Sequence, residues 1–81
     1  MVANSILRRT VQIGHRATSV SLEDDFWQAL RQIAKERGTS VSDLVAIIEA
    51  KPREGNLSSA IRVWVVGHYQ DQISARKRQS S

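Results

Sequence analysis

The segment Arg16-Ala17-Thr18-Ser19-Val20-Ser21-Leu22 alternates in character and runs straight into Glu23-Asp24-Asp25-Phe26-Trp27, an acidic helix start. Side chains alternate across a strand, so Thr18, Val20 and Leu22 share one face and Ala17, Ser19 and Ser21 share the other. The first face suits a core and the second suits contact. A lone strand leaves backbone N–H and C=O groups unpaired along its edges and needs a neighbour. Two neighbours are available: Thr10-Val11-Gln12-Ile13, folded back through a turn at Gly14-His15, or the same strand of a second copy. The second arrangement makes the chain an obligate dimer.

With 81 residues there is room for one domain with a thin core, and dimerisation is a common remedy. No cysteine is present, which removes disulfides and thiolate metal sites. Apolar runs fall far short of the roughly 18 residues that indicate a membrane span. Met1 to Leu7 has no long apolar core of the secretory type. The expected location is the cytoplasm, with no membrane partner.

The placement of charge says more than its net value of +4. Residues 1–22 carry Arg8, Arg9 and Arg16 and no acid; residues 23–50 are mainly acidic; residues 51–81 carry Lys51, Arg53, Arg62, Arg76, Lys77 and Arg78 against Glu54 and Asp71. Basic ends beside a strand suit a polyanion such as double-stranded DNA, because phosphate neutralisation supplies most non-specific affinity. The plainer reading of the same charge is solubility.

Residues 1–9 are expected to form a flexible basic arm whose Arg8 and Arg9 follow a DNA backbone. Residues 10–72 form the domain and residues 73–81 a basic, polar, fraying tail. Within the domain, Phe26, Leu30, Ile33 and Ala34 recur at helical spacing over Glu23 to Arg37, with acids in the first turn and Gly38 as the stop. Ser40 then reads as an N-cap with Asp43 three residues on, and Val41, Leu44, Val45 and Ile48 supply the stripe of a second helix that Pro52 and Gly55 terminate. Asn56 or Ser58 caps a third helix, where Leu57, Ala60, Ile61, Trp64, Val65 and His68 line one face and Val63 and Val66 make the other flank apolar. A helix apolar nearly all round is buried on several sides. Thr18, Val20, Leu22, Ile61, Trp64 and Val65 are therefore the expected dimer core.

The alternating strand, a helix ending in Ala34-Lys35-Glu36-Arg37-Gly38, and Thr39-Ser40-Val41-Ser42 opening another helix together resemble the ribbon-helix-helix superfamily of Arc/MetJ type. Gly14-His15-Arg16, Thr18 to Glu23, Phe26-Trp27 and Asn56 to Arg62 resemble a short bacterial family within it. The resemblance covers roughly residues 10–70. It implies a mostly α fold with a short N-terminal β-ribbon, an additional C-terminal helix and an intertwined homodimer whose two strands enter the major groove. Carried onto this chain, Ala17, Ser19 and Ser21 fall where base-reading side chains sit. Thr39, Ser40 and Val41 fall where backbone N–H groups hold a phosphate, a role that a helix N-terminus performs well. The motif Asn56 to Arg62 resembles the opening of the family's second helix as well as Ser40 to Leu44 does, so either helix fills that place.

His15 is expected at the turn near phosphate, beside Arg16, and His68 on a packed helix face. Two isolated histidines without cysteine make no metal site, and no cofactor is expected. The serines sit at caps, strands and tail, so no nucleophilic constellation forms and no enzyme is expected. Helical spacing makes Phe26, Trp27, Trp64 and Tyr69 core or dimer residues. Arg62 reaches either an acid of the first helix or a phosphate. The functional expectation is sequence-specific DNA binding by a small transcriptional regulator or antitoxin-like repressor, with a partner protein in the latter case. The alternative is a dimeric protein-interaction module that keeps the fold without base readout.

Overall fold

The computed structural model describes residues 5–52 and 55–79. Residues 1–4, 53–54 and 80–81, which the sequence assigns to arm, loop and tail, lie outside the described residues. The order is β1 (Ile6–Ile13), β2 (Arg16–Glu23), α1 (Asp24–Arg37), α2 (Val41–Ala50) and α3 (Leu57–Gln79).

The strand finds its neighbour within its own chain. β1 and β2 form an antiparallel two-stranded ribbon closed by Gly14-His15, with Ile13 opposite Arg16 and Ile6 opposite Glu23. Gly14 has φ +60°, and among the described residues positive φ is confined to glycine. A glycine at the first central position is the signature of a type II′ hairpin turn, whose twist matches that of paired strands. Of the two neighbours that the sequence offers the strand, the one present in this chain is the upstream segment folded back through Gly14-His15.

The register assigns the faces. Leu7–Leu22, Arg9–Val20, Val11–Thr18 and Ile13–Arg16 face the helices, while Arg8–Ser21, Thr10–Ser19 and Gln12–Ala17 face away. Val11, Val20 and Leu22 are buried, in keeping with that division. They join Trp27, Leu30, Ile33, Leu44, Val45, Ile48, Ile61 and Val65 in one core. Thr18 is half-buried and Trp64 packs partly buried at the core's rim, so the residues expected between two chains lie in or against the core of one.

Each helix end has a local cause. Gly38 takes φ +69° and donates to the Lys35 carbonyl, while Thr39 donates to that of Ala34, which closes α1 in a Schellman turn. Ser40 Oγ accepts from the Asp43 N–H at 3.0 Å and caps α2. Asn56 Oδ1 accepts from the Ser59 N–H at 2.9 Å, which settles the α3 cap on Asn56 and leaves Ser58 for another task. α3 continues to Gln79, past the expected start of the tail at residue 73. No Gly or Pro follows Gly67 in that helix, and residues such as Gln, Ala, Arg and Lys favour helix.

Candidate nucleic-acid interface

Three anchors fix the ribbon on the helices. The Trp27 indole Nε1–H donates to the Leu7 carbonyl at 2.9 Å, tying the start of β1 to α1. The Ser21 N–H donates to Ser58 Oγ at 3.1 Å, and Arg62 Nη2 donates to the Ser21 carbonyl at 3.3 Å, so the first two turns of α3 cover the outer edge of β2 there. Arg62 Nε also donates to Glu23 Oε1 at 2.8 Å. Arg62 thus reaches an acid, at the N-cap of α1. The Glu23 carboxyl is held below the usual carboxylate range, chiefly by that hydrogen bond. At the other end of the ribbon Arg16 is ion-paired with Glu49 of α2.

The face turned from the helices carries Arg8, Thr10 and Gln12 on β1 beside Ser21, Ser19 and Ala17 on β2. Five of the six are exposed and Ser21 is half-buried. Gln12 Nε2 lies 3.4 Å from the Gly14 carbonyl, a weak contact. A two-stranded ribbon fits the major groove, and Arg and Gln have the geometry for bidentate contacts to guanine and adenine. Thr10 and Gln12 escape a reading that assigns the contact face to β2 alone, although pairing across a Gly14-His15 turn places them there by arithmetic.

Beside β1 lies a shallow groove of about 200 Å³ lined by Arg9, Thr10, Trp27, Arg31, Val41 and Ser42, among others. The Arg9 guanidinium sits 5.7 Å from the Trp27 ring centroid, so it leans over α1 rather than outward with Arg8. Arg31 was hidden from sequence reasoning inside an acidic segment. The start of α2 opens into this groove, whereas at the start of α3 Ser58 is taken by β2. Thr39 Oγ1 lies 3.4 Å from Asp43 Oδ2, and Thr39 is half-buried while Ser40 is exposed. His15 is exposed at the turn and does not line that groove. No group of three or more His, Cys, Asp or Glu residues suited to a metal occurs among the described residues.

A two-stranded ribbon feeding consecutive helices agrees with a family comparison. The profile of the ribbon-helix-helix domain matches residues 6–69. The chain belongs to the ribbon-helix-helix domain family. The match begins with β1 and ends at Tyr69, so the internal hairpin and the first half of α3 are part of the family domain. The chain is also similar to a solved structure, that of an uncharacterized protein from Bordetella pertussis Tohama I, with a TM-score of 0.73 and 28% identity over 90% of this chain. The ribbon-helix-helix chain spans 62% of that protein. No curated protein matches the chain. The ribbon-helix-helix is a DNA-binding regulatory fold rather than an enzyme fold, and among the described residues no helix is long and apolar enough to cross a membrane.

Proposed function

We propose that the protein is a homodimeric, sequence-specific DNA-binding protein, a small transcriptional regulator that inserts the β1–β2 hairpin into the major groove. The observation that carries this reading is the cross-strand register, which gathers Arg8, Thr10 and Gln12 with Ala17, Ser19 and Ser21 on one outward face. The long side chains of β1 supply the discriminating contacts, and the small residues of β2 let the ribbon approach the base edges closely. Arg9, Arg31 and the N-terminal turn of α2, which follows Thr39 and Ser40 and begins at Val41, hold the flanking phosphate. The open groove there supports α2 as the family's second helix. Arg16, already paired with Glu49, contributes less to phosphate binding than Arg9.

Selection of preferred sites from random duplexes, followed by titration over a salt series, tests the reading. Arg8→Ala or Gln12→Ala relaxes preference at one base position by about 1–3 kcal/mol. Arg9→Ala and Arg31→Ala weaken all sequences alike and each lowers the salt slope by about one unit. A flat salt response with no site selected refutes DNA recognition and leaves a protein-interaction module.

A further inference from the structure

Trp64 of α3 and Lys51, the C-terminal cap of α2, border two hollows that adjoin there. The first, of about 310 Å³, is mainly apolar and includes Ile48, Pro52, Ala60 and Val63 in its walls. The second, also about 310 Å³, is mainly polar and brings in Arg37 of α1 with His68 and Asp71 of α3. Small-ligand sites combine apolar walls with a few polar groups that fix orientation, and the pair of hollows has that composition. Val63 is 73% exposed, so an apolar body lodged beside it removes aliphatic surface from water.

Contacts within the chain hold these walls in place. The Arg37 guanidinium lies 5.4 Å from the Trp64 ring centroid. The His68 ring stacks on Trp64 at 5.5 Å with 20° between the planes, and meets Tyr69 edge-on at 5.4 Å. A guanidinium set over an aromatic ring uses its face there and leaves its in-plane N–H donors for an anion.

Charge selects the ligand. Ion pairs among the described residues join Arg16 to Glu49 and Arg62 to Glu23, and neither Arg37 nor Lys51 takes part in one. The carbonyls at these helix ends already have partners: Thr39 and Gly38 donate to Ala34 and Lys35, and the Lys51 N–H donates to Ile48. Two cations with Asp71 leave the polar hollow one net positive charge, which suits a single carboxylate better than a phosphate dianion. We propose that the two hollows form one binding site for a small carboxylic acid with a compact apolar body. Arg37 and Lys51 hold the carboxylate, and the body lodges among Ile48, Pro52, Ala60 and Val63. The site shares no lining residue with the groove beside β1 and so stands apart from the proposed DNA contacts.

Phenylacetate, titrated into the full chain without DNA, is the probe. The two tryptophans supply a reporter and an internal control, read from their indole N–H signals by nuclear magnetic resonance. The Trp64 signal shifts saturably, with a dissociation constant of about 1 mM or below. The Trp27 signal, whose N–H is bonded to the Leu7 carbonyl, stays in place. Phenylacetamide has the same shape without the charge and binds at least about tenfold more weakly, as does phenylacetate to Arg37→Gln or Lys51→Gln. Inorganic phosphate leaves the Trp64 signal unmoved. Val63→Asp keeps the wild-type melting temperature, because the position is exposed, and abolishes phenylacetate binding. No saturable shift of Trp64 up to about 10 mM phenylacetate overturns the proposal. So does equal affinity for the amide or for phosphate, or unchanged affinity in both glutamine variants.

Discussion

Replacing Trp27 with Phe isolates the bond that ties the start of the ribbon to α1. The indole is 3% exposed and its Nε1–H donates to the Leu7 carbonyl at 2.9 Å. Phe keeps an aromatic face but has no donor. A typical intramolecular hydrogen bond contributes about 0.5–1.5 kcal/mol net. The smaller ring leaves a void in a close-packed core, which adds on the order of 1 kcal/mol. The Arg9 guanidinium over the ring contributes about 0.5 kcal/mol at an exposed site, part of which Phe retains. Together these give about 2 kcal/mol. A domain of this size loses about 4–8 °C of melting temperature per kcal/mol, so Trp27→Phe melts roughly 8–16 °C lower. Thermal denaturation followed by circular dichroism, at matched protein concentration, measures it, and amide exchange locates it. Protection falls most in the first half of β1, around Arg9, and least near the Gly14 turn. A shift below about 3 °C, or a loss of protection spread evenly over the chain, refutes the argument that this bond anchors the ribbon.

Val20 is fully buried beneath the ribbon, so Val20→Asp places a charge with no partner in the core and leaves no cooperative melting transition. Gly38→Ala forces a side chain into the left-handed region at φ +69° and costs about 1–2 kcal/mol, read as a lower urea midpoint at unchanged slope. The folded-state pKa of Glu23 is depressed, so its pairing with Arg62 stabilises the fold fully above the ordinary carboxylate pKa and is lost as pH falls through the depressed value. Melting temperature therefore declines below about pH 4.3 in the wild type. In Glu23→Gln the decline is shallower, and equal declines in the two proteins refute the assignment.

Much of this fold is written in local pattern. α1 and α2 and their caps follow from helical spacing, Gly38 and Ser40, and the alternation of Thr18, Val20 and Leu22 gives the inner face of β2. Strand pairing is a longer-range matter. The residues around Gly14-His15 permit a hairpin, yet β1 carries Arg8, Arg9 and Thr10 together and so shows weak alternation. Arg9 faces the helices yet stays exposed at the ribbon's rim with its guanidinium over the Trp27 ring, which is how a charged residue fits an inward register. Once β1 pairs internally, the unpaired strand no longer argues for a second chain, and Ile61 and Val65 are covered by their own. The candidate site was half legible for the same reason. Ala17, Ser19 and Ser21 share a face by alternation alone, whereas Thr10 and Gln12 join that proposed contact face only through strand pairing and Arg31 joins the groove beside β1 only through the packing of α1.

A ribbon made from identical strands of two chains has a two-fold axis running through its middle, and whatever it touches is met by the same residues in both directions. A hairpin has no such axis. Its strands are different sentences, Arg8-Thr10-Gln12 on one and Ala17-Ser19-Ser21 on the other, so the two margins of the surface can specialise independently. If the hairpin enters the major groove as proposed, the sequence contacted by one hairpin is directional, and any palindrome in the whole target would come from how two protomers are arranged rather than from the segment that a single ribbon covers.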